Sequence, residues 1–264
     1  TLATIDTQAP IEIGLDDIVY QGPRIEELGQ FYDDMGFKQL RAQLGTTNTQ
    51  EEEVLDFKIV SEVSSAMFKK DQFFYFEILG ENYHREEVVG LAWGDKDGIY
   101  VGGPELLDSP VLKDFLEHQP IKTYDFKRGK VLLARKGIDL LPATFDSRLA
   151  KYLLSTVDDN ALTTIAHLYG QTSLIPDEAI YGKGAKLALP ERDVFFPHLA
   201  RKVQVLMETE APMLAKLEEN QQSDLLFEME LPLANVLAKM EIAGIKVKVE
   251  TLKAMQAENE VLIE

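Results

Sequence analysis

The sequence predicts an α/β fold, a central sheet covered by helices on both faces, from three observations. Residues 73–79 (FFYFEIL) and 87–93 (EVVGLAW) are apolar and aromatic runs separated by the turn chemistry of Gly80, Glu81 and Asn82, which is the pattern of a hairpin. Both runs are almost continuous in apolar character, so both faces of the sheet need cover, and helices supply it. Further along, short strand-like segments alternate with helical periodicities, as in layered α/β proteins.

The elements follow in order. Residues 1–45 read as a small helical piece: Asp16 suits the cap of a short turn, Gly22 and Pro23 interrupt the chain, and Ile25, Leu28, Phe31 and Tyr32 fall at helical spacing. The carboxylate pairs Asp16-Asp17 and Asp33-Asp34 read as caps and solvated helix ends rather than metal ligands, because adjacent side chains point apart in regular structure. Residues 46–57, polar and acidic without a period, read as a linker. Residues 58–65 are a short strand or an approach segment, and after the hairpin a turn at 95–98 leads to a third strand over 99–101. Residues 104–117 read as a helix or as a helix broken near Pro110, and 120–124 as a strand. A basic helix over 126–136 turns Val131, Leu132 and Leu133 inward and ends at Gly137.

Asp146 then caps a helix over 147–154 with Leu149, Tyr152 and Leu153 inward, and 160–169 is another helix. Residues 176–190 read as irregular; the YGKGAK at 181–186 lacks the full pattern of a phosphate-cradling loop and reads as a structural turn. A long helix covers 191–219, with Phe195, Leu199, Val203, Leu206, Met213 and Leu217 on one side. A second covers 224–243, whose stripe of Leu226, Met229, Leu233, Val236, Leu237 and Met240 reads as core. Gly244 stops it, 245–247 is extended, and a last helix follows.

Composition bounds the function. The 264 residues suffice for one large domain or two ordinary ones, and a chain opening at Thr1 without Met reads as a piece of something longer. With no cysteine there are neither disulfides nor thiolate metal sites, which fits a reducing cytosol. No run approaches the roughly 18 apolar residues of a membrane span, so no membrane is expected as a partner. The net charge of −18 opposes direct binding to phosphate backbones. Among chemistry-bearing residues, Glu77 stands inside the first strand, either at a position open to water or as a member of a site. His84, His118, His167 and His198 have no partner at metal-binding spacing, and there is no GxSxG nucleophile signature.

Five strings carry a resemblance to a known family. TLATIDTQAPIEIGLDDIVYQGP resembles the end of a 5′-nuclease region, while NYHREEVVGLAWG, KGIDLLPATFDSRLAKYLLS, PDEAIYGKGAK and FEMELPLANVLAKMEIAGIKV resemble successive landmarks of a 3′-to-5′ exonuclease-type domain and its exit into a polymerase thumb. Together, in this order and spacing, they resemble the bacterial DNA polymerase I family (family A), of the Gram-positive, Bacillus type, over essentially the whole chain. The resemblance implies a ribonuclease H-like exonuclease fold with a mixed central sheet flanked by helices, plus C-terminal helices. It also implies a division into 1–45 (end of the 5′-nuclease region), 46–57 (linker), 58–220 (exonuclease-like domain) and 221–264 (thumb-side start of the polymerase).

Active members of that family bind two divalent metals with four carboxylates. The first two form Asp-x-Glu, and here the matching residues are Tyr75 and Glu77: the Glu is kept and the Asp is not. The third lies eight residues before the Gly137 of the KGIDL landmark, which by ungapped counting lands on Gly129; Asp125 stands four residues early. The fourth matches Lys202, where the ligand has become a cation. The resemblance therefore implies a vestigial, catalytically silent domain with no metal of its own, Mg²⁺ being expected only at the parent's polymerase site. Its partners are the polymerase and 5′-nuclease modules of the same chain, DNA is reached through the parent, and the setting is the bacterial cytoplasm. Lys202 is expected to pair with Glu77 in place of metal. Two alternatives stand beside this reading. One is an active nuclease with relocated carboxylates such as Asp125, Asp146 and Glu77. The other is a module that guides DNA without cutting it, through Lys127, Arg128, Lys130, Lys183 and Lys186, with Arg135 and Lys136 nearby.

Overall fold

The structure, a computed structural model, describes residues 24–35, 37, 40, 55–157, 159–171 and 173–263. The chain divides into two compact units, Thr1–Glu53 and Val54–Glu264. In the first, helix α1 (Ile25–Asp34) forms at the expected spacing, and Phe37 folds back to within 6.3 Å of the Phe31 and Tyr32 rings. The expectations for Asp16 and Asp17, for Gly22 and Pro23, for the linker up to residue 54 and for the side chains of Asp33 and Asp34 lie outside the described residues.

The second unit holds a six-stranded mixed sheet. Its strands are β1 (Lys58–Ile59), β2 (Phe73–Ile78), β3 (Val88–Asp95), β4 (Gly98–Gly102), β5 (Lys122–Thr123) and β6 (Phe145–Asp146), in the order β1-β4-β3-β2-β5-β6. β2, β3 and β4 form an antiparallel meander, and β1, β5 and β6 join in parallel register. Every residue of β2 is buried, as its unbroken apolar run requires.

Period two divides β2 between two cores. Phe74, Phe76 and Ile78 pack with Trp93 under helices α2 (Pro110–His118) and α3 (Phe126–Ala134). Phe73 and Tyr75 face the other core. That core is closed by α4 (Ser147–Leu154), α5 (Leu162–Leu168), α6 (Asp177–Tyr181) and the long α7 (Arg192–Glu219). The expected inward side of α7, from Phe195 to Leu217, is buried throughout. One glycine makes this approach possible: a Cβ on Gly90, which pairs across the hairpin with Glu77, would lie 2.7 Å from Cε1 of Phe195.

Several expectations are corrected. Only residues 58 and 59 of the 58–65 segment form a strand. On α4, Leu149 and Leu153 pack inward as expected beside the buried Ser147, Ala150 and Lys151, but Tyr152 is exposed. Residues 176–190 are not irregular throughout, since Asp177 and Glu178 open a helical turn, α6, with acidic residues at its N-terminus. The second long helix begins as a π-turn, Leu225–Glu230, before α8 (Leu231–Ala243). Pro232 accounts for it, because it has no N–H and its ring crowds the carbonyl of residue 228. The stripe expected as core is mostly outside: Leu226 is buried, but Met229, Leu233, Val236, Leu237 and Met240 are exposed. α8 instead buries Leu231, Ala234 and Ala238, and the two alanines, being small, let it lie close along α3. The last helix, α9 (Val249–Ile263), buries none of its described residues.

Asp146 is the joint between two helices. Its carboxylate accepts from the backbone N–H groups of Arg148 (2.9 Å) and Leu149 (3.3 Å), capping α4, and from those of Asp125 (3.1 Å) and Phe126 (2.7 Å) at the start of α3. Burial, with Asp125 beside it, pushes its carboxyl up to about 6 against the pull of these donors. Asp146→Ala is expected to lower the unfolding free energy by about 2–4 kcal/mol, roughly twice the cost of one lost cap, as read by urea denaturation.

Candidate functional site

Glu77 is carried into the sheet by a strand that is otherwise apolar, and it is 2% exposed. A carboxylate so placed needs partners, and the face of α7 above it provides one. Lys202 is 1% exposed; its Nζ forms ion pairs with Oε2 of Glu77 and, at 2.7 Å, with Oδ1 of Asp177 on α6. The Tyr181 hydroxyl donates to the same Glu77 oxygen at 2.8 Å. His198 stands one turn before Lys202 on α7, so its Nε2 also reaches Asp177 Oδ1, at 2.7 Å. Tyr75 completes the enclosure. Its hydroxyl is 3.5 Å from Nζ, and the rings of Tyr75 and Tyr181 lie 4.8 and 5.4 Å from the ammonium.

The electrostatics follow from this geometry. Burial opposes the Lys202 charge, but Glu77, Tyr75 and Asp177 outweigh it and hold the ammonium above its usual range. Burial works against the Asp177 carboxylate as well, yet the hydrogen bond from His198 and the Lys202 charge bring its pKa down to about 2. Burial and then Glu77 push the hydroxyls of Tyr75 and Tyr181 up, so both stay protonated.

Three of the sequence-derived site positions, Tyr75, Glu77 and Lys202, therefore meet. Gly129 does not join them: a Cβ there would face Phe76 at 3.5 Å and Leu140 at 3.8 Å, in the core on the opposite side of β2. The α3 residue beside the site is Arg128. Its guanidinium lies 5.6 Å from the Tyr75 ring and 6.0 Å from that of Tyr124, and it donates to the Phe76 carbonyl at 3.2 Å. Asp125 is turned to local work, accepting from Arg128 N at 3.1 Å and pairing with Arg148. Asp177 and Tyr181 went unrecognised in the sequence. Their separation of four, one helical turn inside PDEAIY, was the signal available.

The donor set does not suit the two divalent ions of active family members. Such ions need several oxygen ligands with uncompensated negative charge, whereas Glu77 and Asp177 are both paired to an ammonium. Among the described residues, no three His, Asp or Glu side chains gather as a metal site, Asp125, Asp146 and Glu77 included.

Most of the basic residues considered for DNA have partners within the protein, some buried and some at the surface. Lys127 binds Glu241 and the Tyr83 hydroxyl, and Lys130, 3% exposed, binds Asp139 and the Leu140 carbonyl. Arg135 and Lys136 share Glu87, and Lys183 pairs with Glu178; Lys186 is exposed. Lys127, Arg128 and Lys130 of the basic helix thus anchor neighbouring elements, while Arg135 and Lys136 at its end stay exposed.

Removing one partner of the buried pair should be costly. Lys202→Ala leaves Glu77 buried without its cation and is expected to lower stability by about 3–5 kcal/mol. The double variant Glu77→Gln, Lys202→Met should recover most of that, as measured by chemical denaturation. At low pH the sign is set by Asp177: its folded pKa of about 2 lies below the ordinary 3.8. Its stabilisation is therefore present above pH 3.8 and lost as the pH falls toward 2. Asp177→Asn should flatten that part of a profile of Tm against pH.

With the geometry in hand, the comparisons with known proteins are specific. A family model described as DNA polymerase I, ribonuclease H-like domain, matches residues 74–209, from β2 into α7. The DNA polymerase I of Streptococcus pneumoniae is 58% identical over 265 residues, covering all of this chain and 30% of that protein. Those of Lactococcus lactis and Bacillus subtilis are 50% and 36% identical, covering 98% and 97% of this chain and 30% of each protein. The chain thus spans about a third of the length of these relatives. Among solved structures, a nuclease in its apo form has a TM-score of 0.59 at 15% identity, covering 71% of this chain and 93% of that one. The POL domain of Pol1 from M. smegmatis, in complex with DNA primer-template and dNTP, has a TM-score of 0.59 at 20% identity, covering 76% of this chain and 34% of that one. These two likenesses concern the fold. Taken with the mixed sheet and its flanking helices, the family match shows that the chain belongs to the DNA polymerase I family and carries its ribonuclease H-like domain.

Proposed function

We propose that residues 58–220 are a vestigial 3′-to-5′ exonuclease-like domain that does not cut DNA and acts as a structural brace within a bacterial DNA polymerase I. The observation that carries this reading is the Lys202 ammonium seated on Glu77 and Asp177. A protein cation neutralises the one carboxylate that the family's ligand pattern keeps on β2, and Tyr75 stands where that pattern has the other. Loss of a metal-assisted path costs many powers of ten in rate, so this domain works without a metal.

The intact polypeptide would carry out template-directed DNA synthesis in replication and repair, in the bacterial cytoplasm, with Mg²⁺ at its polymerase site alone. Residues 1–45 would close its 5′-nuclease region and residues 221–264 would open its polymerase module. The distribution of apolar surface supports the second assignment. Of 28 large apolar side chains exposed among the described residues, 15 lie beyond Asp224, so that end of the second unit is the side that packs against the polymerase module. Among the described residues no helix is long and apolar enough to cross a membrane. The inward pairing of Lys127, Arg128 and Lys130 favours DNA contact through the polymerase module over contact through this domain.

The test is degradation of 3′-labelled single-stranded DNA with Mg²⁺ or Mn²⁺, run beside Glu77→Ala. Neither protein is expected to cleave. Metal-dependent cleavage that disappears in the variant would overturn the brace reading and favour an active nuclease with relocated carboxylates.

A further inference from the structure

Glu241, in the last turn of α8, lies beyond the residues that the ribonuclease H-like family model matches, yet side chains from two parts of that domain converge on it. The Tyr83 hydroxyl, in the turn between β2 and β3, donates to Oε2 at 2.8 Å, and Nε2 of His84 lies 3.4 Å from the same oxygen. Lys127, in the first turn of α3, pairs with Oε1 and also donates to the Tyr83 hydroxyl at 2.6 Å. The Tyr83 and His84 rings lie 4.4 Å apart, and the Lys127 ammonium is 5.2 Å from the centre of the Tyr83 ring. The carboxylate thereby closes a ring of side chains drawn from the hairpin turn, α3 and α8.

The supporting turn is itself held. Arg135, just past α3, donates to the carbonyls of Glu86 (2.6 Å), Arg85 (3.3 Å) and Tyr83 (3.4 Å) and pairs with Glu87. An irregular loop of this length would otherwise be a mobile support; one guanidinium binding three of its carbonyls makes it a fixed one.

After Glu241 the situation changes abruptly. Every described residue from Ile242 to Ile263 is exposed. Gly244, at φ +66°, stops α8, and a Cβ there would meet nothing within 4 Å. Residues 245–248 have no regular structure, and the hydrogen bonds and ion pairs formed by the side chains of α9 are internal to that helix, Gln256 to Glu260 and Lys253 to Glu250. Glu241 is the last partly buried residue before the chain leaves the body of the unit.

We propose that Glu241 is a latch fixing the end of α8 to the exonuclease-like domain. α8 is held against the domain, and on the reading above the polymerase module is entered from this fixed base. The vestigial domain in this way sets the point and direction from which the thumb-side helices depart. The partner of the Tyr83, His84 and Lys127 surface is the polypeptide's own polymerase-side helix, recognised through one carboxylate.

Amide hydrogen exchange on the 264-residue chain tests the latch, with Glu241→Ala compared to the unaltered protein. The amides of residues 239–244 should exchange about five- to tenfold faster in the variant, as expected for the loss of two or three part-buried charged contacts. Those of β2, β3 and α7 should keep their rates. Unchanged exchange at 239–244, or equal acceleration through β2, β3 and α7, would overturn the proposal. Should Glu241→Ala not yield folded protein, Lys127→Met removes the cation from the other side of the latch and is read in the same way. The experiment needs no DNA synthesis. Failure of the polymerase reading would appear separately, as no primer extension by a longer polypeptide that continues past residue 264.

Discussion

A lysine ammonium that is 1% exposed must be answered by oxygen, and Lys202 draws its partners from β2 and α6. That requirement organises one face of the molecule. α7 has to run close over β2, which Gly90 permits, and α6 has to fold back so that Asp177 and Tyr181 reach the same point. A buried pair of this kind is weak evidence for extra stability, because desolvation offsets much of the attraction. Its physical effect is to specify one arrangement: any slip of α7 along the sheet would leave the Glu77 carboxyl buried without its partner.

The same rule governs the other buried charges. A chain with net charge −18 would be expected to display its scarce cations. α3 instead spends them inside, Lys127 on α8, Arg128 on the carbonyl of β2 and Lys130 on the segment that follows α3. Asp146 performs the complementary task for backbone donors, satisfying the first turns of α3 and α4 with one side chain. What a linear reading takes for a basic patch is a set of struts between elements.

At the C-terminal end the forces are of another kind. Pro232 interrupts the hydrogen-bond ladder and widens the preceding turn, so the apolar residues of 225–243 do not share one face as a regular helix would place them. Ala234 and Ala238 seat α8 on the body, and the larger side chains are left outward. The helix is two-sided, with a polar and small-residue contact to the exonuclease-like domain and an exposed apolar surface on its other side.

Local chemistry determined much of this without tertiary information. The continuous apolar runs of β2 and β3 required a sheet covered on both faces, the periodicity from Phe195 to Leu217 marked the long helix, and Asp146 and Gly137 marked helix ends. The pairing of Glu77 with Lys202 was anticipated through the family resemblance, which sets both residues at ligand positions of its pattern, one keeping a carboxylate and the other carrying a cation. Gly129, by contrast, came from counting along the chain, and the packing of α3 turned it to the opposite core. Asp177 and Tyr181 were hidden in a segment too short to show a period, and the stripe of 229–240 read as core because sequence periodicity names an apolar face without saying what covers it. Sequence spacing reports what lies on one side of an element. Which element that side meets depends on distances across the fold, and these only the tertiary structure decides.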